Sequence, residues 1–173
     1  LRNEESKVRY WAVPGTEGFT HRVGGLEKSY VTSAISTDPA NHAKMVEARR
    51  KKIENIAHDI PALEVMGDAE ADTLLVGWGG TYGHLLSAAN QLNADGRRVA
   101  LAHFRYINPL PFNTGEVLSR YKTVIVAELN NGQFADYLQS QFPATAIRRI
   151  NKVEGQPFLV QEITDGVIKI MED

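Results

Sequence analysis

The run Thr73-Leu74-Leu75-Val76 passes through Gly77-Trp78-Gly79-Gly80-Thr81-Tyr82-Gly83 straight into a helical pattern, and no other stretch restricts the fold as much. A short unbroken apolar run suits a parallel strand with helices over both faces, because neither face has to meet water. The glycines let the backbone turn and leave bare N–H groups at the start of the next helix. The unit then repeats. The pattern predicts a strand over 73–77, a helix from about 82 to 93, a turn at Asp95-Gly96 and a strand over 99–103. Asn108-Pro109-Leu110-Pro111 must be turn, and Asn113-Thr114-Gly115-Glu116 has capping-box spacing for a short helix through about Arg120. A strand over 123–128, a helix over 133–141, a weaker strand over 146–150 and a last helix with Val160, Ile163, Val167 and Ile170 on one face complete the pattern. Strand and helix alternating at short spacing predict an α/β domain, a three-layer sandwich with a mainly parallel open sheet.

Upstream the chain reads differently. Residues 1–36 hold no sustained period of 2 or 3.6, yet carry Tyr10, Trp11, Phe19 and Tyr30. These are too many aromatic residues for a solvated tail, and the segment reads as an irregular arm that packs on its own core or on a neighbour, or else as a long surface loop. Asp38-Pro39 places an N-cap residue before a proline at the first helical position. A helix is predicted from about 39 to 58, stopping before Pro61, with Val46, Ile53, Ile56, Ala57 and Ile60 at helical spacing. Its length and charged face suit a strut or linker helix. The acidic, small-residue stretch Gly67-Asp68-Ala69-Glu70-Ala71-Asp72 marks the expected boundary, giving an interdomain arm and linker helix over 1–66 and the α/β domain over 67–173.

Charge and composition exclude several function classes. At 173 residues the chain has room for one ordinary core with an extension beside it. A net charge of −2 gives no electrostatic footprint for nucleic acid, and the one basic run, Arg49-Arg50-Lys51-Lys52, reads as the solvated face of a helix. No apolar run approaches the roughly 20 residues that span a bilayer, so no membrane partner and a cytoplasmic location are expected. The chain contains no cysteine, which removes a thiol nucleophile and a cysteine-held iron–sulfur cluster from this polypeptide. It opens on Leu1, which suggests a segment of something longer.

An open sheet offers its crevice at the carboxyl ends of its strands, here residues 77–83, 103–111 and 128–133. A dinucleotide site fails on spacing. From Gly77 the third glycine of the fingerprint would fall on Tyr82, and from Gly79 the second would fall on Thr81. The second strand ends on His103, Phe104 and Arg105, with no acid for a ribose hydroxyl, although arginine could suit a 2′-phosphate. Glu128 reads as a carboxylate stabilised at a helix N-terminus rather than an acid–base group. The five histidines (His21, His42, His58, His84, His103) lie in separate elements without metal-ligand spacing. The residues alone describe a non-catalytic α/β domain with one polar edge, with Gly79, Gly80, Thr81, Arg105, Tyr106, Asn108, Asn130 and Asn131 as the candidate interface. The rival reading is a free-standing nucleotide- or coenzyme A-binding Rossmann-like domain.

Four motifs in order carry a closer resemblance. Val76-Gly77-Trp78-Gly79-Gly80-Thr81-Tyr82-Gly83, the stretch from Leu101 to Pro111 with His103-Phe104-Arg105-Tyr106-Ile107-Asn108 at its centre, Glu128-Leu129-Asn130-Asn131-Gly132-Gln133, and Asn151-Lys152-Val153-Glu154-Gly155-Gln156-Pro157-Phe158 together resemble the C-terminal part of the α subunit of 2-oxoglutarate:ferredoxin oxidoreductases. Pro14-Gly15-Thr16-Glu17-Gly18 and the stretch from Asp38 through Glu47 are similar to the linker that follows that family's pyrimidine domain. The resemblance implies a transketolase C-terminal-type domain within an enzyme that oxidatively decarboxylates a 2-oxoacid, forms acyl-coenzyme A and reduces ferredoxin. It implies thiamine diphosphate, Mg2+ and an iron–sulfur cluster for the whole complex, all held on other domains or on the β subunit and none by this segment. Partners implied are N-terminal domains of the same subunit, the β subunit, ferredoxin and coenzyme A. No catalytic residue of the family carries over to these positions, and coenzyme A contact at the glycine turn has no supporting spacing.

Overall fold

The computed structural model describes residues 2–21 and 24–173, and the chain divides into two compact units, Leu1–Asp59 and Ile60–Asp173. The division falls before the stretch expected as a boundary. Residues 60–66 go with the second unit because Val65–Gly67 forms a strand of its sheet, an element too short to leave a periodic signal.

In the first unit, α1 (Pro39–Asn55) begins as the sequence dictates, with the Asp38 side chain accepting the Ala40 N–H, and a 3-10 turn over Ile56–His58 ends it. The expected apolar face is not the buried one. Met45 and Ala48 are buried, whereas Val46 and Ile53 are exposed. The outer face is charged, and Arg50 reaches both Glu47 and Glu54. The arm before α1 is held by polar groups. The Arg9 guanidinium donates to the Ser33 hydroxyl and to the carbonyls of Ser29 and Tyr30. The Tyr30 ring lies beneath Lys44 at 3.9 Å and Arg2 at 4.9 Å, and its hydroxyl meets Glu4.

The second unit is one five-stranded sheet with the order β1-β3-β2-β4-β5: β1 (Val65–Gly67), β2 (Thr73–Trp78), β3 (Val99–Phe104), β4 (Thr123–Glu128) and β5 (Ile147–Asn151). β2 pairs in parallel with β3 and β4, β4 pairs in parallel with β5, and only β1 runs antiparallel, along β3. Side chains alternate between two cores. Leu74, Val76, Ala102, Phe104, Val124 and Val126 pack with α3 (Thr114–Ser119) and α4 (Gln133–Gln141) on one face. Leu75, Leu101, Ile125 and Ala127 pack with α2 (Tyr82–Ala94) and α5 (Val160–Glu172) on the other. α2 buries Leu85, Ala88, Ala89 and Leu92, the i, i+3, i+4, i+7 stripe that seats a helix on a sheet. The result is the expected α/β three-layer sandwich, and β2 to β5 give the parallel part. Among the described residues no helix is long and apolar enough to cross a membrane.

One local expectation is corrected. Asn113 does not cap α3. Its side chain instead takes the Leu63 N–H at 2.7 Å and donates to the Leu63 carbonyl at 3.0 Å, fastening the segment that enters β1. Glu116 turns to Arg120 rather than back to the Asn113 backbone.

The two ends of the glycine turn answer to different demands. A Cβ on Gly77 would stand 2.0 Å from Leu85 Cδ1 and 2.6 Å from the Thr81 hydroxyl, so β2 and α2 approach as closely as they do because nothing is there. Gly83, inside α2, has open space around it and no positive φ. Gly77→Ala is therefore expected to destabilise the domain by about 1–3 kcal/mol through overpacking. Gly83→Ala is expected to stabilise it by about 0.4–1 kcal/mol through the unfolded chain. Chemical denaturation midpoints of the two variants check the pair.

Candidate functional site

The strand order makes the carboxyl edge of the sheet uneven. From β2 the chain moves outward to β3 by way of α2 on one face, and from β4 it moves outward to β5 by way of α4 on the other. The loops leaving β2 and β4 thus part in opposite directions, and between these two neighbours lies the switch point where open α/β sheets keep their ligand crevice.

In this protein that position is filled from within. Glu128, the last residue of β4, has no exposed surface. Its carboxylate accepts the backbone N–H of Phe134 and of Ala135, each at 3.0 Å, and the indole N–H of Trp78 at 3.3 Å. The first two donors are free N–H groups in the first turn of α4, where an anion is favoured by the helix dipole. Trp78 then packs against Phe134 at 6.1 Å, and Phe134 meets Phe104 edge-on at 5.1 Å. A nucleotide phosphate seeking the α4 N-terminus would find a carboxylate already there.

The open space lies on the other side of β2. A cleft of about 320 Å³ is lined by Glu64, Met66, Gly79, Tyr82, His103 and Arg105. Gly79 turns there with φ of +61°, a conformation that favours glycine. His103 stands edge-on to the Tyr82 ring at 5.1 Å, and its buried Nε2 has no hydrogen-bond partner. Burial, with the Arg105 charge adding to it, pushes the His103 imidazole below its ordinary value and favours the neutral ring. A larger depression of about 360 Å³ lies at the amino ends of the strands, among Glu70, Asp72, Thr73, Gly96, Arg97, Arg98 and Met171. There Arg98 pairs with Asp68, Arg97 with Glu172 and Asp72 with Lys122, so both its arginines are already partnered and the carboxyl-edge cleft is the better candidate.

The eight residues expected at the polar edge do not form one cluster. Gly79 and Arg105 meet in the cleft, and Gly80, Tyr106 and Asn108 are exposed. Thr81 is withdrawn from the surface: it is buried, and its hydroxyl donates to the Trp78 carbonyl at 2.9 Å, closing the glycine turn. Asn130 and Asn131 lie at the end of β4, with β2 between them and the β3 loop. Asn130 serves its own loop, its side-chain oxygen accepting the N–H groups of Gly132 and Gln133, while Asn131 is exposed. Sequence reasoning missed Glu64, just before the three-residue strand β1, and Met66, at its centre, and the pairing of Trp78 with Glu128 across 50 residues. Among the described residues no group of three or more His, Cys, Asp or Glu side chains is arranged to hold a metal ion.

No family model matches the chain. It is 44% identical over 165 residues to the 2-oxoglutarate oxidoreductase subunit KorA of Mycobacterium tuberculosis, a match covering 94% of this chain and 24% of that protein. It is 34% identical over 168 residues to the α subunit of 2-oxoacid:ferredoxin oxidoreductase 1 of Aeropyrum pernix, covering 93% of this chain and 26% of that protein. A solved 2-oxoglutarate:ferredoxin oxidoreductase from Magnetococcus marinus, with 2-oxoglutarate, coenzyme A and succinyl-CoA bound, superposes with a TM-score of 0.85 at 28% identity, over 95% of this chain and 29% of that one. The chain spans about a quarter of the length of the curated relatives it matches, and over nearly its whole length it is similar to part of these oxidoreductase subunits.

Two outcomes follow from the edge. Glu128→Ala strands two backbone donors and an indole N–H in the core, and is expected to cost about 3 kcal/mol with a change in Trp78 fluorescence. Glu128→Gln keeps an acceptor and is expected to cost about half as much, both read by urea unfolding. For His103, the unfolded chain takes up a proton at the ordinary value while the folded chain resists. Stability is therefore full above about pH 6.5 and declines as pH falls from there through the lowered folded value. His103→Phe is expected to flatten that decline between pH 7.5 and 5.5, and unchanged acid sensitivity in the variant would refute the assignment.

Proposed function

We infer that this chain is a segment of the α subunit of a 2-oxoacid:ferredoxin oxidoreductase, with 2-oxoglutarate as its 2-oxoacid, and that within it the segment serves assembly rather than chemistry. The observation that carries the reading is the 44% identity sustained over 165 residues, which takes in both units but only 24% of the relative. The filled switch point supports it, because Glu128 and Trp78 occupy the position where a domain of this architecture would otherwise receive a ligand. On this reading the whole enzyme oxidatively decarboxylates the 2-oxoacid, forms its coenzyme A thioester and passes the electrons to ferredoxin in the cytoplasm. Thiamine diphosphate, Mg2+ and the iron–sulfur cluster would be held by other domains and by the β subunit. A chain without cysteine has no thiolate to offer such a cluster.

The segment's own part is to present the exposed carboxyl-edge residues Gly80, Arg105, Tyr106, Asn108 and Asn131 to the thiamine-binding domains or to a second subunit. Arginine beside tyrosine at an exposed loop is the composition of an interface anchor. The arm and α1 (residues 1–59) are read as the interdomain connection.

A second reading rests on the cleft between β2 and β3, where Arg105, the unpartnered His103 Nε2 and the Gly79 turn could meet a phosphate-bearing ligand such as coenzyme A. Two measurements separate the readings. The chain replaces the matching segment of the M. tuberculosis subunit, and the chimera is purified with its β subunit. Recovery of an α–β complex with 2-oxoglutarate-dependent ferredoxin reduction is expected, and Arg105→Ala with Tyr106→Ala should weaken subunit association about ten- to hundredfold. Micromolar coenzyme A or NADP binding by the 173-residue chain, lost in Arg105→Ala, would favour the second reading instead.

A further inference from the structure

Among its described residues the first unit has almost no core: Met45 and Ala48 are buried apolar side chains, while Trp11 is 84% exposed, Tyr10 70%, Val13 67%, Phe19 62% and Val31 69%. A unit of this size that buries so little apolar surface has little to set against the entropy of ordering its chain. Four of these five side chains fall between residues 10 and 19, on a loop built by turns. The Thr16 N–H and hydroxyl both donate to the Val13 carbonyl, the Phe19 N–H donates to the Thr16 carbonyl, and Gly15 and Gly18 take positive φ. The turns give the loop a shape, and that shape holds its apolar groups outward. Residues 10–20 include no lysine or arginine and a single acid, Glu17, so the surface suits neither a polyanion nor a charged membrane face.

We propose that this loop, with Tyr10, Trp11, Val13 and Phe19 as its anchors, is a docking strip for the part of the same α-subunit polypeptide that lies outside the quarter represented here. The proposal rests on the reading of the chain as an α-subunit segment and names the arm's partner within it. One observation and one physical argument choose this occupant over a separate protein. The relatives are about four times as long as their matched part, so the subunit brings its own further surface. A partner in the same polypeptide meets the strip at a high effective concentration, so a short aromatic loop suffices without the area that a free partner requires. Aromatic anchors in a loop low in charge also match the composition of a fully desolvated contact centre.

Hydroxyl-radical footprinting tests this on two full samples, the 173-residue chain by itself and the chimeric α subunit in complex with its β subunit. Trp11, Tyr10 and Phe19 are expected to label freely in the first and about fivefold or more slowly in the second, as burial at an interface centre excludes water. Tyr121, half-buried in the second unit, serves as the internal reference. A chimera that forms the complex yet labels at Trp11 as fast as the lone chain overturns the docking strip and leaves the α-subunit reading standing. A chimera that forms no complex overturns both. Protection of Trp11 in the lone chain that grows with its concentration identifies a second copy as the occupant and also overturns the proposal.

Discussion

The buried carboxylate of Glu128 fixes the geometry of the whole carboxyl edge. An ionisable group taken wholly out of water is a liability unless its oxygens are met by donors, and here three N–H groups from two distant parts of the chain meet them. Those donors set the direction of α4 against β4 and hold the Trp78 ring over the end of β2. The ring in turn closes the aromatic layer of Phe104 and Phe134 beneath it. The tight turn at Gly132, with φ of +98° and Arg149 and Asn151 packed on it, brings the α4 N–H groups into range. Conformation, packing and polarity meet at one residue. That residue also removes the anion site that the architecture would otherwise present.

How much of this was legible in advance depends on the length scale of each interaction. The parallel strands announced themselves because a strand covered on both faces needs an unbroken apolar run, and β2 and β4 supply it. α2 and α5 were legible from their periodic stripes, and α1 from the aspartate and proline at its start. α1's buried face is not legible, because the two residues it buries, Met45 and Ala48, do not form a continuous apolar stripe. β1 was missed because three residues hold no period. At Asn113 the spacing misleads, because a side chain that can cap a helix can equally bond a backbone 50 residues away, and local spacing does not distinguish the two. Glu128 is legible in kind, as a carboxylate at a helix start, yet its third partner, Trp78, lies beyond any local pattern.

The two units rest on different physics. The second has two apolar faces, each closed by a pair of helices, and its polar groups are arranged around that core. The first is organised by guanidinium, amide and aromatic contacts, with Arg9, Asn41 and Tyr30 at the junctions. Polar straps of this sort set a shape with precision but contribute little net free energy each, since water would satisfy the same groups. Such a segment has a defined shape but little stability of its own, and it leaves its apolar side chains uncovered.

The margins of the sheet carry a consequence for quaternary architecture. β1 is three residues long, and it ends on Gly67 with φ of +93°, where a side chain would strike the Val99 carbonyl. β5, at the opposite margin, exposes Arg148 and Arg149. A stub on one side and charged guanidinium groups on the other both resist a further strand. Lateral growth of the sheet is thereby disfavoured, and a larger particle containing this domain is more readily built by stacking against its helical layers or its loop-bearing ends, which keeps each sheet a separate, finite object within it.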